Sequence, residues 1–129
     1  MNTVTLGMTG LRVSQLAFGT GTHGWAHHSQ QTALGVAGLA GLLTLGLERG
    51  VTFWDLADQY GSHPHAARAL QDVPRDEVVI ATKTTSRNRR GTAKDVDRFL
   101  KEIGTDVIDI VLLHFLHGGN WPRKYSGAM

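Results

Sequence analysis

The sequence predicts an α/β fold built on a parallel sheet. Two observations lead to this class: short, continuous apolar runs recur along the chain, and a segment with helical character separates each run from the next. Strands that are apolar throughout are typical of parallel sheets covered by helices, with right-handed crossovers between the strands. The length of 129 residues and the composition, 41% hydrophobic and 19% charged, indicate one globular domain.

The first elements of the chain are short. Thr3–Leu6 and Leu11–Ser14 flank a turn that contains two glycines, and this pattern predicts a hairpin. Gln15–Phe18 follows as a short apolar run that ends at a glycine. We expect this run to be the first strand of the main sheet.

The longest predicted helix raises the question of a membrane span. It begins at Thr32, the expected N-cap, runs to about Arg49 and stops at Gly50. Its glycines weaken it by about 0.5–1 kcal/mol each relative to alanine, so we expect close packing to stabilise it as a buried helix. The uncharged piece Ala33–Leu47 is shorter than the roughly 20 apolar residues of a membrane helix. Membrane association is therefore kept only as the alternative.

The remaining elements alternate between strand and helix. We expect strands at Val51–Trp54, Val78–Thr82 and Asp106–Leu113, and helices at His65–Gln71 and from about Thr92 to Ile103. The predicted order after the hairpin is therefore βαβαβαβ. Two architectures fit this order, an open doubly wound sheet or part of a (β/α)8 barrel. A complete barrel takes about 250 residues, so the chain would supply half of one.

Four polar residues stand at the C-terminal ends of the predicted strands. Asp55 follows the second strand, Tyr60 lies in the loop beyond it, Lys83 ends the third strand and His114 ends the fourth. Active sites of parallel α/β proteins are built at this edge of the sheet. A lysine cation stabilises a nearby phenolate, an aspartate can hold that lysine, and a neutral histidine can orient a carbonyl group. The set suits proton donation to a carbonyl oxygen while a hydride arrives from elsewhere.

Each of these residues also has a structural explanation when it is taken alone. Asp55 fits a turn at a strand end, Lys83 a solvated loop charge, Tyr60 a packed loop aromatic and His114 a core histidine. Their ordered recurrence at strand ends favours the active site over four independent coincidences.

Five sequence blocks surround these residues: Leu6–Ser14, Phe18–Thr20, Phe53–Gly61, Ala81–Lys83 and Leu112–His114. In content and order they resemble the signature blocks of the aldo-keto reductase family, and the resemblance covers nearly the whole chain. It implies a partial TIM (β/α)8 barrel, made of an N-terminal hairpin and about four parallel βα units. Residues 1–129 would be the N-terminal part of a single barrel domain.

The resemblance also implies a function for the strand-end residues. Tyr60 would be the general acid in the NADPH-dependent reduction of aldehydes and ketones to alcohols. Lys83 and Asp55 would tune this acid, and His114 would position the carbonyl of the small-molecule substrate. The nicotinamide end of the NADPH site, with NADH as the other candidate, would be lined by Gly19, Thr20 and Asp55.

The family binds the adenosine and the 2′-phosphate of its cofactor mostly through the second half of the barrel. We therefore expect this chain alone to be truncated and to be weakly active or inactive. Its half-barrel would expose two sheet edges, which favour pairing with another copy.

Two other functions remain open at this point. The first is a non-catalytic, cofactor-sensing or regulatory subunit of the same fold. The second is a Rossmann-type dinucleotide-binding module, since Gly19, Gly21 and Gly24 match the pattern G-x-G-x-x-G. That module needs a helix directly behind the glycines and an acidic residue about 20 residues further on. A polar loop follows Gly24 and Asp55 is more distant, so a loop at a barrel mouth is favoured.

Composition limits the partners of the chain. The net charge of +2, with both signs scattered along the sequence, lacks the basic field typical of nucleic-acid binding. There is no cysteine, and the seven histidines lack the spacing of a metal site, so no metal is expected. The basic loop Arg87–Arg90 receives no role. No secretory signal is visible, and we expect a cytoplasmic protein without a membrane partner.

Overall fold

The computed structural model describes residues 1–128. An antiparallel hairpin, β1 (Thr3–Thr5) and β2 (Arg12–Ser14), precedes a sheet of four strands. The strands of this sheet are β3 (Ala17–Gly19), β4 (Phe53–Asp55), β5 (Val79–Thr84) and β6 (Ile110–Leu113). They lie side by side in chain order, and each is parallel to the next.

Helices alternate with these strands. They are α1 (Gly35–Glu48), α2 (His63–Ala69), α3 (Arg89–Ile103) and the short α4 (Trp121–Lys124). The predicted order βαβαβαβ after a hairpin is therefore confirmed. A doubly wound sheet changes direction within its strand order, whereas a barrel adds each strand to the same side of the last. The sequential order is that of a barrel segment, and the Rossmann-type alternative does not fit it.

The core lies between the sheet and its helices. Trp54 of β4 and Ile80 of β5 pack against Leu39 and Leu43 of α1 and Ile103 of α3, and all five side chains are fully buried. Side chains alternate between the two faces of a strand, and register partners of parallel strands share a face. Trp54 and Ile80 are such partners and mark the helix-covered face of the sheet.

The start of α1 differs from the expectation. Thr32 is not an N-cap but lies in a 3-10 turn, Thr32–Leu34, that precedes the helix. The hydroxyl of Ser29 accepts a hydrogen bond from the Thr32 amide at 3.1 Å, and the Thr32 hydroxyl accepts one from the Ser29 amide at 2.7 Å. This reciprocal pairing satisfies the amides of Ser29 and Thr32, so Thr32 stabilises the turn before the helix and does not cap α1 itself. The helix stops before Gly50, whose φ of +85° ends it as expected.

The expected burial of α1 holds for only one side of the helix. Leu39, Ala40 and Leu43 are buried, while Leu42 and Leu45 on the other side are about two fifths exposed. A single layer of helices covers the sheet, so the outer side of each helix remains in contact with solvent. Within residues 1–128, no helix combines the length and the apolar character that a membrane crossing requires.

The last strand of the sheet is shorter than predicted. β6 begins at Ile110 rather than at Asp106, because the side chain of Asp109 is hydrogen-bonded to other segments. The carboxylate of Asp109 accepts hydrogen bonds from the Ile80 amide at 2.7 Å and from Arg75 at 2.6 Å. These bonds take the place of strand pairing at this end of β6.

Candidate active site

Asp55 and Lys83 form an ion pair on the face of the sheet opposite the helices. Asp55 is the last residue of β4, and its register partner in β5 is Ala81, so Lys83 lies two residues further along on the same face. The Lys83 ammonium donates to Asp55 Oδ1 at 2.7 Å and to the Leu56 carbonyl at 2.9 Å. Lys83 lies inside β5 rather than at its end, because the strand continues to Thr84.

Tyr60 lies beside this ion pair. It ends the 3-10 turn Asp58–Tyr60, and Gly61 follows in the left-handed conformation with a φ of +66°. The Lys83 ammonium lies 4.8 Å from the centre of the Tyr60 ring, within the range of a cation–π interaction. The Tyr60 hydroxyl is 3.3 Å from Nε2 of His114, the residue that follows β6. The structure thus brings the four predicted residues together.

The electrostatics around His114 favour a neutral imidazole. The side chain is buried, and this burial is the main reason that the pKa of His114 is lowered; the neighbouring Lys83 ammonium lowers it further. A neutral ring carries one proton and presents one donor and one acceptor. Nε2 is the nitrogen that faces the Tyr60 hydroxyl. The buried Nδ1 has no hydrogen-bond partner among residues 1–128.

Arg87, a residue of the basic loop for which no role was expected, fixes the backbone of His114. Its guanidinium donates to the carbonyl of His114 and, at 3.3 Å, to the carbonyl of Phe115. The amide of His114 donates to the Thr84 carbonyl at 2.8 Å, which continues the pairing of β5 and β6. The histidine is therefore held at both its amide and its carbonyl.

Two glycines of the G-x-G-x-x-G pattern, Gly21 and Gly24, lie against the Tyr60 ring. A Cβ at Gly21 or at Gly24 would overlap ring atoms of Tyr60. The pattern therefore belongs to a loop at the mouth of the barrel segment, and its glycines leave room for an aromatic ring. Sequence reasoning missed this link because the glycines and the tyrosine are more than 30 residues apart in the chain.

The predicted cofactor-lining residues are adjacent but not equally open. Gly19 and Asp55 are register partners, Gly19 is exposed, and no heavy atom lies within 4 Å of the position its Cβ would take. Thr20 is fully buried, and its hydroxyl and amide both donate to the Asp55 carbonyl, at 2.8 Å and 3.1 Å. Thr20 thus braces the backbone, while Gly19 and the Asp55 carboxylate face open space.

Two exposed aromatic residues next to the site were not predicted as site residues. The Phe115 ring stacks on the His114 ring at 3.9 Å, and the Trp25 ring meets Phe115 edge-on at 5.4 Å. Trp25 is 62% exposed and Phe115 is 42% exposed. Phe115 also has a φ of +54°, a strained value for an aromatic residue. Their positions, directly after Gly24 and after His114, were the only signal in the sequence.

A second cluster of titratable groups lies behind the site. Ligand-type atoms of Asp58, His63 and Glu102 lie within 4.8 Å of one another, a spacing that suits a metal ion. The guanidinium of Arg98, however, already donates to both oxygens of Asp58 and to Glu102. Because Arg98 supplies the cation between these carboxylates, we treat the cluster as an ion-pair network rather than as a metal centre.

The fold and the site together define a segment of a (β/α)8-barrel protein with an ionisable cluster at the carboxyl edge of its strands. Residues 15–120 match the model of the Aldo/keto reductase family. The chain belongs to this family.

Similar proteins agree with this assignment. Aldo-keto reductase YhdN of Bacillus subtilis is 27% identical over 139 aligned residues, which cover 95% of this chain and 38% of that protein. Glycerol 2-dehydrogenase (NADP(+)) of Saccharomyces cerevisiae is 29% identical over 84 residues, covering 64% of this chain and 25% of the yeast protein. The solved structure of an aldo-keto reductase from Bacillus halodurans superimposes with a TM-score of 0.78 at 23% identity. It covers 99% of this chain, which in turn covers 44% of that structure, so the chain spans less than half the length of these relatives.

Proposed function

We propose that this chain carries the proton-donating half of an NADPH-dependent carbonyl reductase site. One observation carries the proposal: the Tyr60 hydroxyl lies 3.3 Å from Nε2 of His114, and the Lys83 ammonium lies 4.8 Å from the Tyr60 ring. A phenol between a cation and a neutral imidazole suits proton transfer to a carbonyl oxygen.

Each residue has a distinct part in the proposed reaction. Tyr60 donates its hydroxyl proton to the carbonyl oxygen as that oxygen gains negative charge. The Lys83 ammonium, held by Asp55 at 2.7 Å, stabilises the phenolate that remains. Neutral His114 directs Nε2 to the same position and orients the carbonyl group.

The open side of the site fits a nicotinamide. Gly19 leaves free space beside the Asp55 carboxylate, which is about one third exposed. A flat ring can approach a glycine backbone closely because no side chain intervenes. Gly19 and Asp55 would hold that end of the cofactor, and bound NADPH supplies the hydride. The yeast relative, whose name includes NADP(+), supports this choice of cofactor over NADH.

The aromatic pair indicates the kind of carbonyl compound that binds. Trp25 and Phe115 form an exposed apolar wall next to Tyr60 and His114. Such a wall favours aldehydes and ketones that carry an apolar or aromatic substituent, because burial of the substituent adds to binding.

Tyr60→Phe tests the proposal, with Tyr125→Phe as the matched control, since these are the two tyrosines of the chain. NADPH oxidation is measured with a panel of aldehydes, and NADPH binding is measured separately. Where the wild type turns over an aldehyde, Tyr60→Phe should lower turnover by about 100-fold or more while NADPH binding is retained. Tyr125→Phe should match the wild type. Undiminished turnover in Tyr60→Phe would overturn the assignment of the acid.

A second function is a non-catalytic, cofactor-sensing or regulatory subunit. Gly19 and the Asp55 carboxylate face open space and could hold the nicotinamide end without a reaction at Tyr60. Wild-type protein that binds NADPH but reduces none of the aldehydes would support this second function over catalysis.

A further inference from the structure

One side of α3 carries three charged residues that face the site from behind the sheet. Asp95, Arg98 and Glu102 are spaced by three and four residues and therefore lie on the same side of the helix. Arg98 donates to Asp95 at 3.3 Å and to Glu102 at 2.8 Å, so the three groups form one continuous network. Each member reaches a different segment of the site.

Arg98 holds the turn that carries Tyr60. Its Nη1 and Nη2 atoms donate to the two carboxylate oxygens of Asp58, at 2.8 Å and 2.9 Å. Asp58 is 8% exposed and begins the 3-10 turn that ends at Tyr60. The hydrogen bond with Asp58 raises the pKa of Arg98 above its usual range, so the charge is permanent. A two-pronged pair of this kind fixes orientation as well as distance.

Glu102 connects the network to the strand that carries Lys83. Its Oε2 accepts from Nδ1 of His63 at 2.7 Å, and Nε2 of His63 accepts from the Thr82 hydroxyl at 2.7 Å. Burial lowers the pKa of His63 despite the nearby Glu102 carboxylate, so the ring is neutral and both nitrogens are satisfied. Thr82 directly precedes Lys83, and its side chain lies on the helix-covered face.

Asp95 connects the network to the segment that holds His114. Its carboxylate accepts from the Thr84 hydroxyl at 2.5 Å and from the Ser86 hydroxyl at 2.7 Å. Partial burial raises the pKa of Asp95, but these hydrogen bonds together with Arg98 outweigh it, and the net effect is a lowered pKa. The residue after Ser86 is Arg87, which donates to the His114 carbonyl.

We propose that Arg98, with Asp95 and Glu102, positions Tyr60, Lys83 and His114 relative to one another. Within residues 1–128, none of the three has a hydrogen bond to the side chain of Tyr60, Lys83 or His114. They act through the neighbours of those residues, from the covered face of the sheet. The proposal rests on the proposed function in one respect: it takes Tyr60, Lys83 and His114 to be catalytic.

NMR of the chain labelled with 13C in its tyrosine rings tests the proposal directly. The chain has two tyrosines, so Tyr60 and Tyr125 give separate signals, and Tyr125→Phe assigns them. Arg98→Ala should move or broaden the Tyr60 signal by several times the change at Tyr125. The matched control is Arg68→Ala, which removes a partly exposed arginine of α2 that pairs with Asp72 at 2.5 Å. This variant should leave both signals unchanged.

A conservative variant separates positioning from general stability. Arg98→Lys keeps the positive charge but loses the fork that holds Asp58, so it should give a smaller shift of the Tyr60 signal in the same direction. If urea titration shows that Arg98→Ala is unfolded, the tyrosine signals are compared in Arg98→Lys and Glu102→Gln instead. A Tyr60 signal that is identical in folded Arg98 variants and in Arg68→Ala would overturn the proposal.

Turnover measurements keep this proposal distinct from the proposed function. If the wild type reduces an aldehyde, Arg98→Ala should lower kcat by about tenfold or more with little change in KM, because substrate contacts are retained. A fall in kcat no larger than that of Arg68→Ala would count against positioning. An inactive wild type that binds NADPH would favour the cofactor-sensing function over catalysis, while the tyrosine signals would still decide whether Arg98 positions Tyr60.

Discussion

The two faces of the four-stranded sheet are held in different ways. On the helix-covered face, Trp54 and Ile80 are fully buried, and the polar Thr82 is hydrogen-bonded to His63. On the opposite face lie the Asp55–Lys83 ion pair and Leu112, which is 45% exposed. Leu112 and Lys83 are register partners, so the ion pair and the exposed leucine share one surface.

The stability and the chemistry of the chain therefore reside on different faces of the sheet. The covered face contributes the packed core and the network that reaches the site from behind. The open face presents the reactive groups and buries little. Changes on the covered face should therefore affect the free energy of unfolding, whereas changes on the open face should affect association.

The largest contrast is expected between two leucine truncations. Leu43→Ala removes a fully buried side chain of α1 and should lower the free energy of unfolding by about 2–5 kcal/mol. Leu112→Ala, the same change on the open face, should cost about 0.5 kcal/mol. Urea unfolding of both variants measures the difference. Equal losses would show that the open face is packed in solution.

A smaller contrast concerns pH. The pKa of His63 is lowered by burial, so the unfolded chain takes up a proton more readily than the folded one. The free energy of unfolding should thus fall as the pH drops through about 6.5, by up to about 1.4 kcal/mol per pH unit for this group. His114 adds a contribution of the same sign.

His63→Gln measures how much of this pH dependence comes from His63, which lies behind the covered face. We expect the variant to lose part of the slope between about pH 7.5 and 5 in urea titrations, since one buried histidine is gone. His28→Gln, at an exposed position, is the control and should keep the wild-type slope. An unchanged slope in His63→Gln would show that His63 does not titrate with folding.

The smallest expected effect on the fold is at the edges of the sheet. We propose that copies of the chain associate along these edges, which are β3 and β6, because Leu112 of β6 is exposed. Leu112→Lys should raise the dissociation constant at least roughly tenfold, or about 1.4 kcal/mol, since a lysine would be desolvated at the contact. Sedimentation equilibrium measures this, with Leu112→Ala as the uncharged control. A wild type that is monomeric at all concentrations would rule out the association.

Much of the fold was predictable because periodicity and turn residues are local signals. The hairpin, the alternation of strands and helices and the end of α1 at Gly50 follow from short stretches of sequence. The start of α1 was missed because Ser29 and Thr32 cap each other, and either residue alone matches the N-cap pattern. The start of β6 was missed because Asp109 pairs with Arg75, which is 34 residues away.

Some residues of the candidate site could likewise be predicted from the sequence, and others could not. Asp55, Lys83 and His114 could be found because each directly follows an apolar run that predicts a strand, and Tyr60 because it lies in the loop after Asp55. The roles of Arg87 and Thr20 could not be predicted, since their partners are main-chain carbonyls brought close only by folding. Neither an arginine in a basic loop nor a threonine after a strand signals a distant carbonyl.

The class of fold, the order of its elements and the residue types at the carboxyl edge follow from hydrophobic periodicity and from residues adjacent in the chain. Only folding places Gly21 and Gly24 against the ring of Tyr60 and brings Arg98 to Asp58 across 40 positions. Local patterns do not predict these contacts, because steric fit and ion pairing act over a few ångströms in space, whatever the separation along the chain.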